Sequence, residues 1–351
     1  MGQDVVIIGA GIIGCATAYF LAREGLSVTV VDPNGIAAGA SGRNNGLIEH
    51  TYDDATEAIF NETVGLLTDV LGDTFPRDPV GTLLVAVDEH GAQQVAAGYH
   101  RFPQLAPQIL NPDQAREAEP LLAEGLWGVM LDTGHPVRPV EATTAFADLA
   151  KAAGAEFVLG QPVELPSDGS EVVIAAGAGS PSLLPAGIRK DIVAPLWGVI
   201  VSVELPQRPR HPLIEGALAA AHGSGEIAIE APFTLLDSPS WLAVGSTMLE
   251  GSEPDGAAWA PLLLERGRRF VPSIAQAEVK GLLVCARPRS FDNRPILGRV
   301  PGQERLWLAT GHGGRGMSTG AASGRMIAEA IIAGDDSAIP DPLSSRRLAD
   351  R

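Results

Sequence analysis

In "GLLVCARPRSFDNRPILG", residues 281–298, Arg287 stands at the end of an apolar run, Gly281 to Ala286, that reads as a short buried strand. A charge in that place needs a partner, because an unpaired ion withdrawn from water is costly. Two partners are open to it. One is an acid of the protein such as Asp292. The other is a carboxylate from solution, which a guanidinium meets with two parallel donors, on a backbone that Pro288 stiffens. A second cluster lies at the N-terminus, where Gly9, Gly11 and Gly14 follow the apolar run "DVVII" and precede a helical stretch closed by Gly25. At this spacing the glycines give a tight turn, close backbone approach to a pyrophosphate, and packing of helix on strand. Asp32, ending the next apolar run "SVTVVD", is placed to accept a ribose hydroxyl. Strand, triplet, helix, strand and acid in this order read as a dinucleotide site, which could take NAD or FAD.

Further along, Ser41, Gly42, Arg43, Asn44, Asn45 and Gly46 form a loop of small and polar residues suited to a second phosphate contact. "SEVVIAAGAGSPSLL" repeats the strand-then-glycine pattern at Ala176 and Gly177, and "ATGHGGRGMSTG" sets Gly313, Gly314, Arg315, Gly316 and Met317 at the start of a closing helix. A helix N-terminus offers unpaired amides and a positive dipole end, which would favour the anionic reduced form of an isoalloxazine ring. The plainer reading is a glycine-rich turn that lets the helix pack closely. Glu49 and His50 could reach a ring edge as acid-base groups, although an exposed turn accounts for them better. His312 either touches the ring or caps the turn, and Trp197 and Trp241 read as core.

The elements that must position these groups call for a sizeable globular chain. Its 351 residues are 45% hydrophobic and 19% charged, enough for two domains. With 42 acidic against 25 basic residues the net charge is -17, which repels nucleic acid and anionic lipid. Cys15 and Cys285 lie too far apart in sequence for a disulfide framework or zinc pattern, so no metal is expected and a reducing cytoplasm fits. No basic leader and no apolar run of membrane-spanning length is read, so no membrane partner is expected. Helical spacing marks "TEAIFNETVGLLTDVLG", "EHGAQQVAAGYHRF" and "RPVEATTAFADLAKAAG". Strands are expected at "GTLLVAVD", "APLWGVIVSVEL", "GEIAIEA" and "SWLAVGSTM", and the tail after Pro340 reads as loose.

Taken together, "VVIIGAGIIGCATAYFLAREGLSVTVVD", "GASGRNNG", "VVIAAGAGS", "ARPRSFDNRPILG" and "ATGHGGRGMSTGAASG" resemble the FAD-dependent family that includes D-amino-acid oxidase, glycine oxidase and sarcosine oxidase. The likeness spans nearly the whole chain, is nearest in character to glycine oxidase, and keeps the motifs in the family's order. It implies an α/β fold in which a Rossmann-like FAD domain is assembled from residues 1–47, 136–195 and 285–351. A substrate domain of α+β character, an antiparallel sheet with helices, would use residues 48–135 and 196–284. It implies that Gly9, Gly11, Ile12, Ile13, Asp32, the loop 41–46, Val163 beside the adenine, Ala176, Gly177 and residues 313–317 hold FAD. Arg287 would grip the substrate carboxylate next to the flavin.

The resemblance also has departures. The lysine that sarcosine oxidases carry beside the flavin aligns with Ala243, and the tyrosine that glycine oxidase and D-amino-acid oxidase place in the preceding strand is replaced near Ala228 and Ile229, leaving apolar room. Cys285 aligns with the cysteine that carries flavin covalently in the sarcosine-oxidase branch, but non-covalent FAD is the expected state. The implied activity is oxidation of a carboxylate-bearing amine: glycine, an N-substituted glycine or a small D-amino acid. Hydride would pass from the α-carbon to flavin N5, the imine would be hydrolysed, and molecular oxygen would take the electrons. A D-amino-acid dehydrogenase with another electron acceptor is the alternative within the class. An NAD-dependent dehydrogenase and a non-catalytic flavoprotein are the alternatives outside it. The oligomeric state is open, self-association included.

Overall fold

The computed structural model describes residues 4–163, 165–166, 169–188, 190–216 and 230–349. Its first sheet is built from the segments that carry the dinucleotide signals. Six strands lie in the order Ile296–Arg299, Leu306–Thr310, Glu171–Ile174, Asp4–Ile8, Ser27–Asp32 and Glu156–Leu159. Every neighbouring pair is parallel except the first, which is antiparallel. Strands covered on both faces need apolar side chains at every position, which is why "DVVII" and "EVVI" are continuous runs without alternation. The helices Ile12–Arg23, Pro139–Ala152 and Gly316–Ala333 share one core with this sheet. The last helix crosses the first at Gly320 and Gly324, four residues apart on one face. A Cβ on Gly324 would stand 2.7 Å from Ala16 Cβ and 2.8 Å from Thr17 N, so only glycine permits the crossing.

Helix Asp54–Leu71, whose N-cap Asp53 accepts a hydrogen bond from Ala55 N, also sends Ile59, Phe60 and Leu67 into this first core. The expected boundary at residue 47/48 therefore falls earlier than the packing does. Amphipathic spacing shows that a helix buries one face, but not which sheet receives it.

The second sheet has eight strands in the order Glu278–Ser290, Val193–Glu204, Leu242–Gly245, Thr234–Asp237, Leu213–Glu215, Thr82–Ala86, Trp127–Leu131 and Gln108–Leu110. It is antiparallel apart from Leu213–Glu215 against Thr82–Ala86. The expected short strand at Gly281 to Ala286 is the middle of the 13-residue edge strand Glu278–Ser290, which is only partly buried. Of the expected strand "GEIAIEA" all but Glu230 and Ala231 lies outside the described residues, and so do Ala228 and Ile229.

The tail is not loose. Leu343, Ser344 and Ser345 are buried, Leu297 N donates to Leu343 O at 2.8 Å, and Arg347 Nε lies 3.1 Å from Asp292 Oδ2. Among the described residues no helix is long and apolar enough to cross a membrane, and no group of three or more His, Cys, Asp or Glu is arranged to hold a metal ion.

Candidate active site

A cleft of about 840 Å³ is lined by residues of both sheets. At its nucleotide end Gly9 adopts φ +116°, and a Cβ there would meet Ala175 O at 2.4 Å. The Asp32 carboxylate accepts from Ala10 N at 2.9 Å through Oδ2, and from Asn34 N at 2.8 Å and Gly35 N at 2.9 Å through Oδ1. It therefore ties the glycine turn to the loop beyond the second strand while also lining the cleft. Ser41 Oγ accepts from Ile12 N at 3.0 Å, so the loop 39–46 is fastened over the start of the first helix. Asn44 braces that loop internally, donating to Ala40 O and Ser41 O and accepting from Gly46 N. Asn45 Oδ1 is buried with no hydrogen-bond partner.

Two expected contact residues, Gly42 and Gly46, are not on the cleft wall. Their role is to let the loop close. A Cβ on Gly42 would lie 2.2 Å from Ala37 O, and one on Gly46, at φ +73°, would lie 2.6 Å from Val137 O. The other expected cofactor residues, namely Gly9, Gly11, Ile12, Ile13, Asp32, Ser41, Arg43, Asn44, Asn45, Val163, Ala176, Gly177 and residues 313–317, all line the cleft. The last helix opens there with no side-chain cap, leaving its first amides to whatever the cleft holds.

Arg287 stands on the edge strand opposite Leu196 and points across Gly198, where a Cβ would come within 2.4 Å of Nη2. Glycine at 198 is thus the space that the guanidinium occupies. Nη1 donates to Thr247 O at 2.9 Å and Nη2 to Ser246 Oγ at 3.1 Å, both neutral acceptors. Asp292, the expected protein partner, is instead bound to Arg347, and no described acid pairs with Arg287. Loss of hydration pulls the Arg287 pKa below its ordinary value. The neighbouring Arg289 also lines the cleft, bonded to Glu250 Oε1 at 2.6 Å.

Glu49 and His50, expected as an exposed turn, separate. Glu49 is on the cleft wall with Oε2 buried and unbonded, and burial raises its carboxyl pKa, with Arg315 opposing. His50 is not on the wall. It is buried, Nδ1 accepts from Tyr52 N at 3.0 Å, and its ring packs edge-on to Phe60 and Phe102. Burial, aided by Arg315, pushes its pKa down to about 4. Arg315 Nη1 donates to His50 O at 2.8 Å and its guanidinium lies 5.0 Å from the Tyr52 ring centroid. His312 lines the cleft, bonded through Nε2 to Ser323 Oγ at 3.0 Å, with burial driving its pKa down to about 3.

Sequence reasoning missed several wall residues. Tyr52, at φ +56°, brings a phenol into the cleft from the segment before helix Asp54–Leu71. Trp197, read as core, lines the cleft with Ile200, Leu236 and Met248, while Trp241 does not. Ser246 and Met248 face the cleft from the stretch in which Ala243 is buried core, and among the described residues no lysine lines the wall. The positive φ of Tyr52 has no sequence signal, and period-2 alternation along "WGVIV" groups Trp197 with the core residues Val199 and Val201, so it could not have placed Trp197 on the wall. Cys285 is buried on the wall, and desolvation raises its thiol pKa against the opposing pull of Arg287 and Arg43.

Comparison with known proteins sets this geometry in context. Residues 4–330 match the family described as FAD dependent oxidoreductase. Glycine oxidase of Bacillus licheniformis is 24% identical over 94% of this chain and 93% of its own. D-amino acid dehydrogenase of Paramagnetospirillum magneticum is 25% identical over 96% of each chain. The crystal structure of glycine oxidase from Geobacillus kaustophilus, 23% identical, superposes with a TM-score of 0.82 over 97% of this chain and 98% of that one.

Proposed function

The chain belongs to the FAD dependent oxidoreductase family, and from that premise we propose that it oxidises a small amine bearing a carboxylate: glycine, an N-substituted glycine or a small D-amino acid. The observation that carries this reading is Arg287, a guanidinium in the cleft wall held by two neutral acceptors and by no described acid. A carboxylate completes its fork. The relatives named glycine oxidase and D-amino acid dehydrogenase match along nearly their full lengths and support the same class of substrate.

The groups present fit FAD: an acid at the end of the second strand and an orphaned amide oxygen at Asn45 as acceptors, a glycine turn that a Cβ would fill, and an uncapped helix N-terminus whose amides donate. Asp32, Gly9, Gly11, Ser41, Arg43 and Asn44 would hold its nucleotide part and residues 313–317 its ring end. Bound there, FAD supplies the electron acceptor for the α-carbon hydrogen. Arg287 fixes the carboxylate and so sets which substrate hydrogen faces the acceptor. Ser246 and Thr247 hold Arg287 in place, and Trp197, Ile200, Leu236 and Met248 keep water from the substrate's substituent.

In this reading residues 1–47, 136–195 and 285–351 carry the cofactor, joined by helix Asp54–Leu71, and the second sheet covers the substrate. Oxygen as electron acceptor, a cytoplasmic location and self-association belong to the same proposal. A dehydrogenase with another acceptor is favoured by the D-amino acid dehydrogenase relative. The NAD reading falls with the family. The test is an anaerobic screen of the yellow protein with glycine, N-alkyl glycines, D- and L-amino acids and hydroxy acids. Bleaching by the first three classes is expected, and bleaching by hydroxy acids alone would overturn the proposal.

A further inference from the structure

Among the ionisable side chains of the cleft wall, Arg287 and Glu49 are of opposite sign, and neither has a charged bonding partner among the described residues. We propose that Glu49 receives the substrate's ammonium group and removes its proton, so that the cleft is built for a zwitterion, carboxylate at Arg287 and amine at Glu49. This rests on the reading above that the substrate is a carboxylate-bearing amine.

Glu49 is held in place from both sides of the chain. It follows the strand Leu47–Ile48, and its backbone N donates to Ser318 Oγ at 3.1 Å, which ties it to the first turn of the last helix. Its carboxylate keeps one oxygen, Oε2, buried and unbonded. The charged and titratable groups around it are Arg315 from the turn before the last helix, Tyr52 from its own segment and Tyr99 from helix Glu89–Tyr99. Arg315 is committed to His50 O and the Tyr52 ring. Guanidinium cannot take a proton at working pH, and burial keeps both phenols protonated. His50 is off the wall; His312 bonds Ser323 through Nε2 and keeps Nδ1 buried and unbonded, but burial drives its pKa down to about 3, which makes it the weaker base. That leaves Glu49 as the acceptor. Burial raises its carboxyl pKa, which narrows the gap to an amine and makes it a better base.

The step balances. An N–H bond of the ammonium breaks, an O–H bond forms on Glu49, and nitrogen keeps the electron pair. The α-hydrogen can then leave with its own pair to FAD, the oxidant of the proposed reaction, while the nitrogen pair closes the C=N bond. Glu49 returns its proton to water after product leaves.

The experiment compares wild type, Glu49→Gln and Glu49→Asp as FAD-loaded proteins. FAD content, binding of propionate (a carboxylate without an amine) by perturbation of the flavin spectrum, and anaerobic bleaching rate against pH are measured. Glu49→Gln should keep its FAD and its propionate affinity but bleach roughly 10²-fold more slowly at neutral pH. Wild-type rates should climb with pH as Glu49 ionises, whereas the glutamine variant should climb only where the unbound amine itself loses its proton. Aspartate should restore part of the rate. An unchanged rate and pH profile in Glu49→Gln would overturn the assignment, as would loss of FAD or propionate binding, which would give Glu49 to cofactor or carboxylate. Failure of the substrate reading shows separately, as a wild type that no carboxylate-bearing amine bleaches.

Discussion

Arg287 carries the largest share of the functional argument at the scale of single residues, and its removal has a defined signature. Arg287→Ala should weaken apparent substrate affinity by about 2 to 5 kcal/mol, the range for truncating one partner of a hydrogen-bonded charge pair. Bound-flavin absorbance should hardly change. Lysine should rescue poorly because it cannot fork. Steady-state kinetics beside the visible spectrum check this, and wild-type KM in the alanine variant would leave Arg287 without the role. Cys285 gives a second prediction. Its thiol is kept protonated by burial, which works against a thiolate attacking the flavin. Acid precipitation should therefore release all yellow colour to the supernatant. Colour retained in the pellet, and lost in Cys285→Ser, would establish attachment instead.

At the scale of elements, the pairing of strands Val193–Glu204 and Glu278–Ser290 creates the pocket for Arg287, with Gly198 as the gap. Gly198→Ala puts a methyl group where the guanidinium lies, so it should raise KM much as Arg287→Ala does while FAD content stays unchanged. Equal KM for wild type and variant would show that the side chain moves aside without consequence. This pairing explains how far the sequence could be read. Asp32 and the glycine turn were legible because strand, turn and helix are contiguous in the chain. The same holds for residues 313–317 at the start of the last helix. Gly198, Ser246, Thr247 and Tyr52 were not legible, because they meet Arg287 or the cleft only through long-range sheet register or an unusual backbone angle. His50 shows the limit of a one-dimensional reading: adjacent residues after the short strand Leu47–Ile48 face opposite ways, one to the cleft and one to an aromatic core. The tail was misjudged for a similar reason, since polar "SSRR" hides the buried Leu343 contact and the Arg347 to Asp292 pair.

On the scale of the whole molecule, two sheets with separate cores enclose one cleft, and several histidines are buried neutral within that frame. Burial lowers the pKa of His50 to about 4, that of His312 to about 3, and that of His135 below its ordinary value. The unfolded chain, with histidine near 6.5, then binds more protons than the folded one in the interval below that value. Their contribution to stability is whole above about pH 6.5 and is lost as pH falls toward the folded values. Melting temperature should drop between pH 7 and 5, and drop less in His312→Gln. A flat profile would contradict the burial of neutral histidines.

The central claim is that this cleft selects amines by their carboxylate through Arg287. The most direct measurement mixes the yellow protein anaerobically with matched pairs of amines, each an N-alkyl glycine and the same amine lacking its carboxylate, in wild type and Arg287→Lys. The account predicts bleaching by the carboxylate-bearing member alone in wild type, and loss of that preference in the lysine variant. Equal bleaching of wild type by both members of a pair would contradict it.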